Sequence, residues 1–86
     1  MKILYSSKFA SKYKKLSPEV KLVMRKKQEL FFKNPFDPKL KTHKLTGKLK
    51  YFWAFSIDNK HRIIFEFLGE NVIQLHSVGT HDIYKK

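Results

Sequence analysis

The sequence predicts an α+β fold in which two N-terminal helices pack on one face of an antiparallel-type sheet, in the order β-α-α-β-β-β. Three observations predict it. Apolar residues recur at helical spacing between residues 7 and 33. The stretch "NPFDP" then breaks that pattern with two prolines and an Asn. Beyond residue 48 come three strand-like runs, each bounded by a turn signal.

The first run, "KILYS", is rich in strand formers and reads as strand one. Ser6 or Ser7 caps a helix that carries Phe9, Tyr13 and Leu16 at i, i+4 and i+7. In "LSPEV", Ser17 is the N-cap, Pro18 takes the first helical position and Glu19 lies in the first turn. Val20, Val23, Met24, Leu30 and Phe31 then share one stripe. Lys27 falls inside that stripe and is expected to extend its ammonium outward along its apolar stem. The two helices form a hairpin, with Lys8, Lys12, Lys14, Lys15, Lys21 and Lys26 on outer surfaces.

Residues 39–48, "KLKTHKLTGK", are expected to be a basic loop. "LKYFWAFSI", "HRIIFEF" and "NVIQLHSV" are the remaining strands. Asp58-Asn59 suits the first hairpin turn, since both residues tolerate positive φ, and Gly69-Glu70-Asn71 suits the second. Alternation sets Ile63, Phe65 and Phe67 on one face, with Arg62, Ile64 and Glu66 on the other. In the last strand Ile73 and Leu75 are apolar while Gln74 and His76 point opposite. One sheet face therefore covers the helices and the other presents polar groups.

Eighty-six residues are expected to form one domain spanning 1–86. A chain of this size buries only ~60–65% of its unfolded surface, so a site is expected in a surface groove or on a sheet face. Cysteine is absent, which excludes disulfides and thiolate metal sites. "MKILYSS" is too short for a leader h-region, and no apolar run approaches ~18 residues, so a soluble, cytoplasmic protein is expected, without membrane contact.

Charge is the most informative bulk property. The chain has 19 Lys plus Arg against 7 Asp plus Glu, for a net charge of +12. All of the excess lies in residues 1–50, which hold 15 basic and 3 acidic side chains; the remainder holds 4 of each. Such a one-sided field attracts a polyanion, either nucleic acid or an acidic protein, although a lysine-rich solubilising surface has the same composition.

The carboxylates are scattered without ligand spacing, which argues against a two-metal nuclease, and no metal or cofactor is expected. Serine elbows, P-loops and dinucleotide fingerprints are absent. What remains is histidine, arginine and tyrosine beside a basic surface, a set suited to metal-free RNA cleavage. There a 2′-OH attacks the adjacent phosphate, a base and an acid move the protons, and a cation stabilises the pentavalent charge. Histidine serves either proton role, and arginine matches phosphate oxygens. The residues also have ordinary readings: His81 and His61 as exposed turn residues, His43 as a solvated loop residue and His76 as a packed strand residue. Arg62 could pair with Glu66, Trp53 could belong to the core, and Tyr84 could pin the C-terminal segment to the sheet.

Taken together, "NPF" with its following "HKLTG", the strand "HRIIFEF" and the ending "SVGTHDIY" resemble the RelE/ParE superfamily of toxin–antitoxin toxins. The likeness covers almost the whole chain, and the ending is most similar to the YafQ-type branch. It implies a small RelE-like fold and an endoribonuclease that cuts messenger RNA in the ribosomal A site, held in check by a cognate acidic antitoxin. By this resemblance His81 takes the catalytic C-terminal position and Tyr84 the aromatic that stacks on substrate or assists proton transfer. Arg62 takes the phosphate-stabilising position, and His43 the histidine of the "H-x-L-x-G" loop. Lys41, Lys44, Lys48, Lys50, Lys12, Lys15 and Trp53 are the expected RNA- and ribosome-binding residues, and the toxin–antitoxin complex is a candidate for operator DNA binding.

The chain departs from the YafQ pattern at Ser56 and Lys60, where that branch carries a further His and Asp. The proton-transfer set must then be different or thinner here, and the general base is open between His43 and His81. Tyr51 stands where a glycine is common. Two other readings share the fold or the charge: a ParE-like gyrase poison that cuts no RNA, and a basic nucleic-acid-binding module.

Overall fold

The computed structural model describes residues 1–80. His81 and Tyr84 lie outside the described residues. The chain runs through strand β1 (Lys2–Tyr5), helices α1 (Ser7–Lys14) and α2 (Pro18–Lys33), then strands β2 (His43–Lys44), β3 (Trp53–Ser56), β4 (Arg62–Gly69) and β5 (Val72–Gly79). Both helices start where the caps predicted. Ser6 Oγ accepts from the Phe9 N–H at 2.9 Å and Ser17 Oγ from the Val20 N–H at 3.2 Å.

The strands form one sheet in the order β1-β5-β4-β3-β2. The α+β class is as expected, but the sheet is mixed, because β1 lies parallel to β5. Its N-terminal half pairs Lys2 with Val72 and Tyr5 with Leu75, and Ser6 Oγ donates to the His76 carbonyl at 2.7 Å. An additional short strand, β2, comes from the segment expected to be loop. That segment is pinned by Leu40, which is fully buried, and by 3-10 turns at Pro38–Leu40 and Gly47–Leu49. Gly47 has φ +66°, a left-handed conformation that glycine adopts without strain.

The core lies between the helices and one sheet face. Phe31 of α2 stacks on Phe55 at 4.4 Å and meets the edge of Phe65 at 4.9 Å. Phe9, Met24, Leu40, Ile63, Ile73, Leu75 and Val78 complete this cluster. The spacing in β5 is irregular: Ile73 and Leu75 are two apart, yet Val78 is three further on. A β-bulge explains it. Leu75 pairs with Phe65 and Ser77 with Ile64, leaving His76 as the extra residue. Strict alternation would have turned Ser77 into the core and Val78 out; the bulge reverses the phase and buries Val78 instead.

The opposite face is less polar than expected. Ala54, Ile64 and Ser77 form a buried row across three strands. Polar and aromatic groups stand around that floor: His43 at the β2 edge, Phe52 stacked on His76 at 4.7 Å, and Glu66 and Gln74 further along. No helix among the described residues is long and apolar enough to cross a membrane.

Candidate functional site

Positive charge converges on one end of the sheet, where the β3–β4 hairpin turns and β5 runs out. The turn is wider than a two-residue hairpin: it closes through the Ile57 N–H on the His61 carbonyl at 3.0 Å. Asp58 and Asn59 do not need left-handed backbone: among the described residues, Lys41 and Asn71 are the non-glycine ones with positive φ. The Asp58 carboxylate organises the turn instead. Its Oδ1 accepts from the Lys60 and His61 N–H groups at 2.8 and 2.7 Å, and the His61 ring nitrogen Nδ1 lies 3.0 Å away.

Burial pushes the Asp58 carboxyl up, but the two backbone N–H bonds and the His61 ring outweigh it and hold the group below its ordinary value of 3.8. Asp58 is therefore ionised at neutral pH and acts only as an acceptor.

Arg62 opens β4 beside this turn. It does not pair with Glu66. Its Nη1 donates to the carbonyls of Asp58 at 2.7 Å and His61 at 3.0 Å, which folds the half-buried guanidinium over the hairpin. Arg62 lines a cleft with Lys27, Lys39, Lys41 and the buried Ser56. Lys27 reaches this cleft from the apolar stripe of α2. On the other side of the hairpin lies a second cleft, formed by Lys12 of α1, Lys15 and Leu16 just after it, His61, and Val78, Gly79 and Thr80 at the end of β5. Gly79 is the cross-strand partner of Arg62, so the two clefts meet at the base of the hairpin. Six cations thus surround a turn whose one carboxylate is already engaged.

The other candidates are distributed around this end. His43 is exposed on β2, with Nδ1 3.0 Å from the Lys41 carbonyl, and it faces the same side as Ala54. Strand spacing and rise put His43 about 12 Å from Arg62 between Cα atoms, so the two do not touch. Lys44 and Lys48 are exposed along the β2 edge and the following turn. Lys50 places its ammonium 5.2 Å from the ring centroid of exposed Tyr51. Trp53 is not brought to this region. It lies on the helix-covered face, edge-on to Phe36 and Phe67 at 5.5 Å each.

His76 sits at the bulge. Burial lowers the pKa of its imidazole below 6.5, Lys8 adds to the effect and Glu66 opposes it. Among the described residues no three His, Cys, Asp or Glu side chains group closely enough to hold a metal ion. Sequence reasoning passed over the His61–Asp58 pair. The spacing Asp58-x-x-His61 across a turn was the available signal, since an Asx-type turn returns the chain to the carboxylate three residues on.

No protein-family model matches the chain, and no curated protein matches it by sequence. Solved structures do share its fold. YafQ from E. coli strain BL21(DE3) superimposes with a TM-score of 0.80 at 18% identity, over 98% of this chain and 97% of that one. A YoeB/ParE toxin from Agrobacterium tumefaciens gives 0.79 at 16% identity, over 94% and 99%. The E. coli DinJ–YafQ toxin–antitoxin complex gives 0.75 at 19%, over 94% and 92%. The RelE-like fold implied by the sequence resemblance is the fold the chain has.

Proposed function

We propose that this protein is the toxin of a type II toxin–antitoxin pair and a metal-independent endoribonuclease that cuts messenger RNA in the ribosomal A site. The observation that carries the reading is the gathering of Lys12, Lys15, Lys27, Lys39, Lys41 and Arg62 around the sheet end from which Gly79-Thr80 leads into His81. A phosphodiester drawn there meets cations on both sides of the hairpin. The 2′-OH attacks phosphorus, and His81 takes part in moving the protons. Arg62, with Nη1 fixed by two carbonyls, has Nε and Nη2 for the phosphate oxygens.

Tyr84 stacks on a splayed base. His43 attends the reaction from the β2 edge, and Lys44, Lys48 and Lys50 extend the cationic surface towards ribosomal RNA. Trp53, on the opposite face, has no RNA contact in this reading. The protein works in the cytoplasm. An acidic antitoxin occupies the apolar groove between the helices, lined by Tyr5, Phe9, Tyr13 and Met24, where Lys14 stands at the rim. The DinJ–YafQ complex supports such a partner, and the pair binds operator DNA.

Primer extension on translated messages tests the reading. Wild type is expected to give codon-linked cuts that His81→Ala or Arg62→Ala suppresses. Absence of cuts with disturbed DNA supercoiling would instead favour a ParE-like gyrase poison, and absence of both a non-catalytic basic module.

A further inference from the structure

We propose that His61, oriented by Asp58, is a second proton-transfer residue of this site, beside the one that the proposed function gives to His81. The inference rests on the endoribonuclease reading and names the group that supplies the proton chemistry missing at Ser56 and Lys60.

The geometry starts with the carboxylate. Two backbone N–H bonds hold Asp58 in place, so it cannot swing away from the ring. An ionised carboxylate accepts only, so His61 Nδ1 carries the hydrogen, at 3.0 Å from Oδ1 and 3.2 Å from Oδ2. Nε2 is then the nitrogen left to exchange a proton with substrate. The ring borders the cleft of Lys12, Lys15, Gly79 and Thr80, whose volume is about 200 Å³.

The charged groups facing the ring are few. Asp58 belongs to its own turn, Lys12 and Lys15 come from the first helical segment, and Arg62 bonds the His61 carbonyl. β5 contributes Val78 and Gly79, and Thr80 follows it, none of them titratable. The cations hold the phosphate while the ring stays oriented.

The other histidines among the described residues lack this combination. His43 is exposed at the sheet edge and bonded to a carbonyl. His76 is stacked on Phe52 in surroundings that disfavour its charged form. Gly79 and Thr80, which line this cleft, directly precede His81 in the sequence.

The step balances with these two groups. The O2′–P bond forms as one imidazole takes the 2′-OH proton, and the P–O5′ bond breaks as the other gives its proton to O5′. The products are a 2′,3′-cyclic phosphate and a 5′-hydroxyl. The imidazoles end in exchanged protonation states, which water restores.

The test is the single-turnover cleavage rate of a defined message on programmed ribosomes, from pH 5 to 9. Wild type, His61→Ala, His61→Gln and Asp58→Asn are compared, with thermal melts of each protein. Wild type is expected to give a bell-shaped profile. The His61 variants should cut about 10²–10⁴-fold more slowly and lose one limb of the bell. Loss of the alkaline limb makes His61 the acid, and a 5′-bridging phosphorothiolate substrate should then restore cleavage; loss of the acid limb makes it the base. Asp58→Asn should slow cleavage while keeping both limbs. A folded His61→Gln with cleavage within threefold of wild type overturns the proposal, as does a uniform slowing with both limbs intact. If His61→Gln does not fold, an Asp58→Asn protein that folds and cleaves at the wild-type rate overturns it instead. Wild type that cuts no message overturns the endoribonuclease reading beneath it.

Discussion

Replacing Ser77 by alanine should stabilise the protein. Its Oγ is a buried side-chain oxygen with no hydrogen-bond partner among the described residues, and the residue is 1% exposed. A hydroxyl taken out of water without a partner costs about 1–3 kcal/mol, and at this exposure solvent does not reduce that cost. Alanine keeps the Cβ and removes the oxygen, leaving a void smaller than a methyl group, for which the cost is below ~1 kcal/mol. The net gain is about 1 kcal/mol, which in a domain of this size raises Tm by roughly 4–8 °C. Urea titration and calorimetry of Ser77→Ala beside wild type measure it. A loss of 1 kcal/mol or more would refute the reasoning, because it would mean that the hydroxyl has a partner in solution. Ser77 lies two residues before Gly79 on β5, so a stabilised variant with lower activity would mark the hydroxyl as kept for function at the expense of stability.

Two further outcomes follow from the packing. Phe31→Ala removes the ring on which Phe55 stacks and should cost about 3–5 kcal/mol, a large part of the ~4–13 kcal/mol available to a chain of this length. Phe32→Ala, at a position 41% exposed, should cost under about 1.5 kcal/mol by the same denaturation assay, and equal losses would refute the core assignment. His76 gives a pH dependence. The unfolded imidazole takes up its proton near pH 6.5 and the folded one only at lower pH, so the unfolded state binds more protons in between. Stability should therefore fall as pH drops through 6.5 towards the folded value and be flat above 7. His76→Gln should abolish that step in urea midpoints taken at pH 5, 6, 7 and 8; an unchanged step would assign it to another group.

Most of the fold was legible because its signals are local. Ser17 and Pro18 announce the second helix through a side-chain oxygen and a fixed φ, and both act within one turn of chain. Asn71 likewise takes φ +58°, as a turn between two strands requires. The parallel pairing of β1 with β5 was hidden because nothing in "KILYS" records the direction of a neighbour seventy residues away. β2 was hidden for another reason: two residues, His43 and Lys44, carry no period, and only their pairing with Ala54 and Trp53 makes them a strand. The bulge at His76 was available in the two-then-three spacing of Ile73, Leu75 and Val78.

The site was legible in kind and incomplete in arrangement. Arg62 was found by its strand, but its bonds to the Asp58 and His61 carbonyls depend on the turn geometry. Trp53 was expected among the RNA-binding residues although a tryptophan is more often core than a stacking platform, and cross-strand register decided its face. His61 was passed over because its partner lies across a turn and its cleft is built from the far end of the first helix.

The parallel pairing of β1 also sets a clock on folding. Lys2–Tyr5 is the first strand made, but its partner Val72–Leu75 comes near the end of synthesis. At ~5–20 residues per second the nascent chain waits roughly 3–14 s between Tyr5 and Val72, with its first strand unable to dock. The helices can form in that interval, but β5 is the strand against which the first helix packs, so they have no finished sheet to cover. A chain interrupted before residue 72 would lack the strand that joins β1 to β4 and leads into the cationic clefts. The polypeptide thus joins β1 to the rest of its sheet, and completes the cleft beside Gly79, in one late closure.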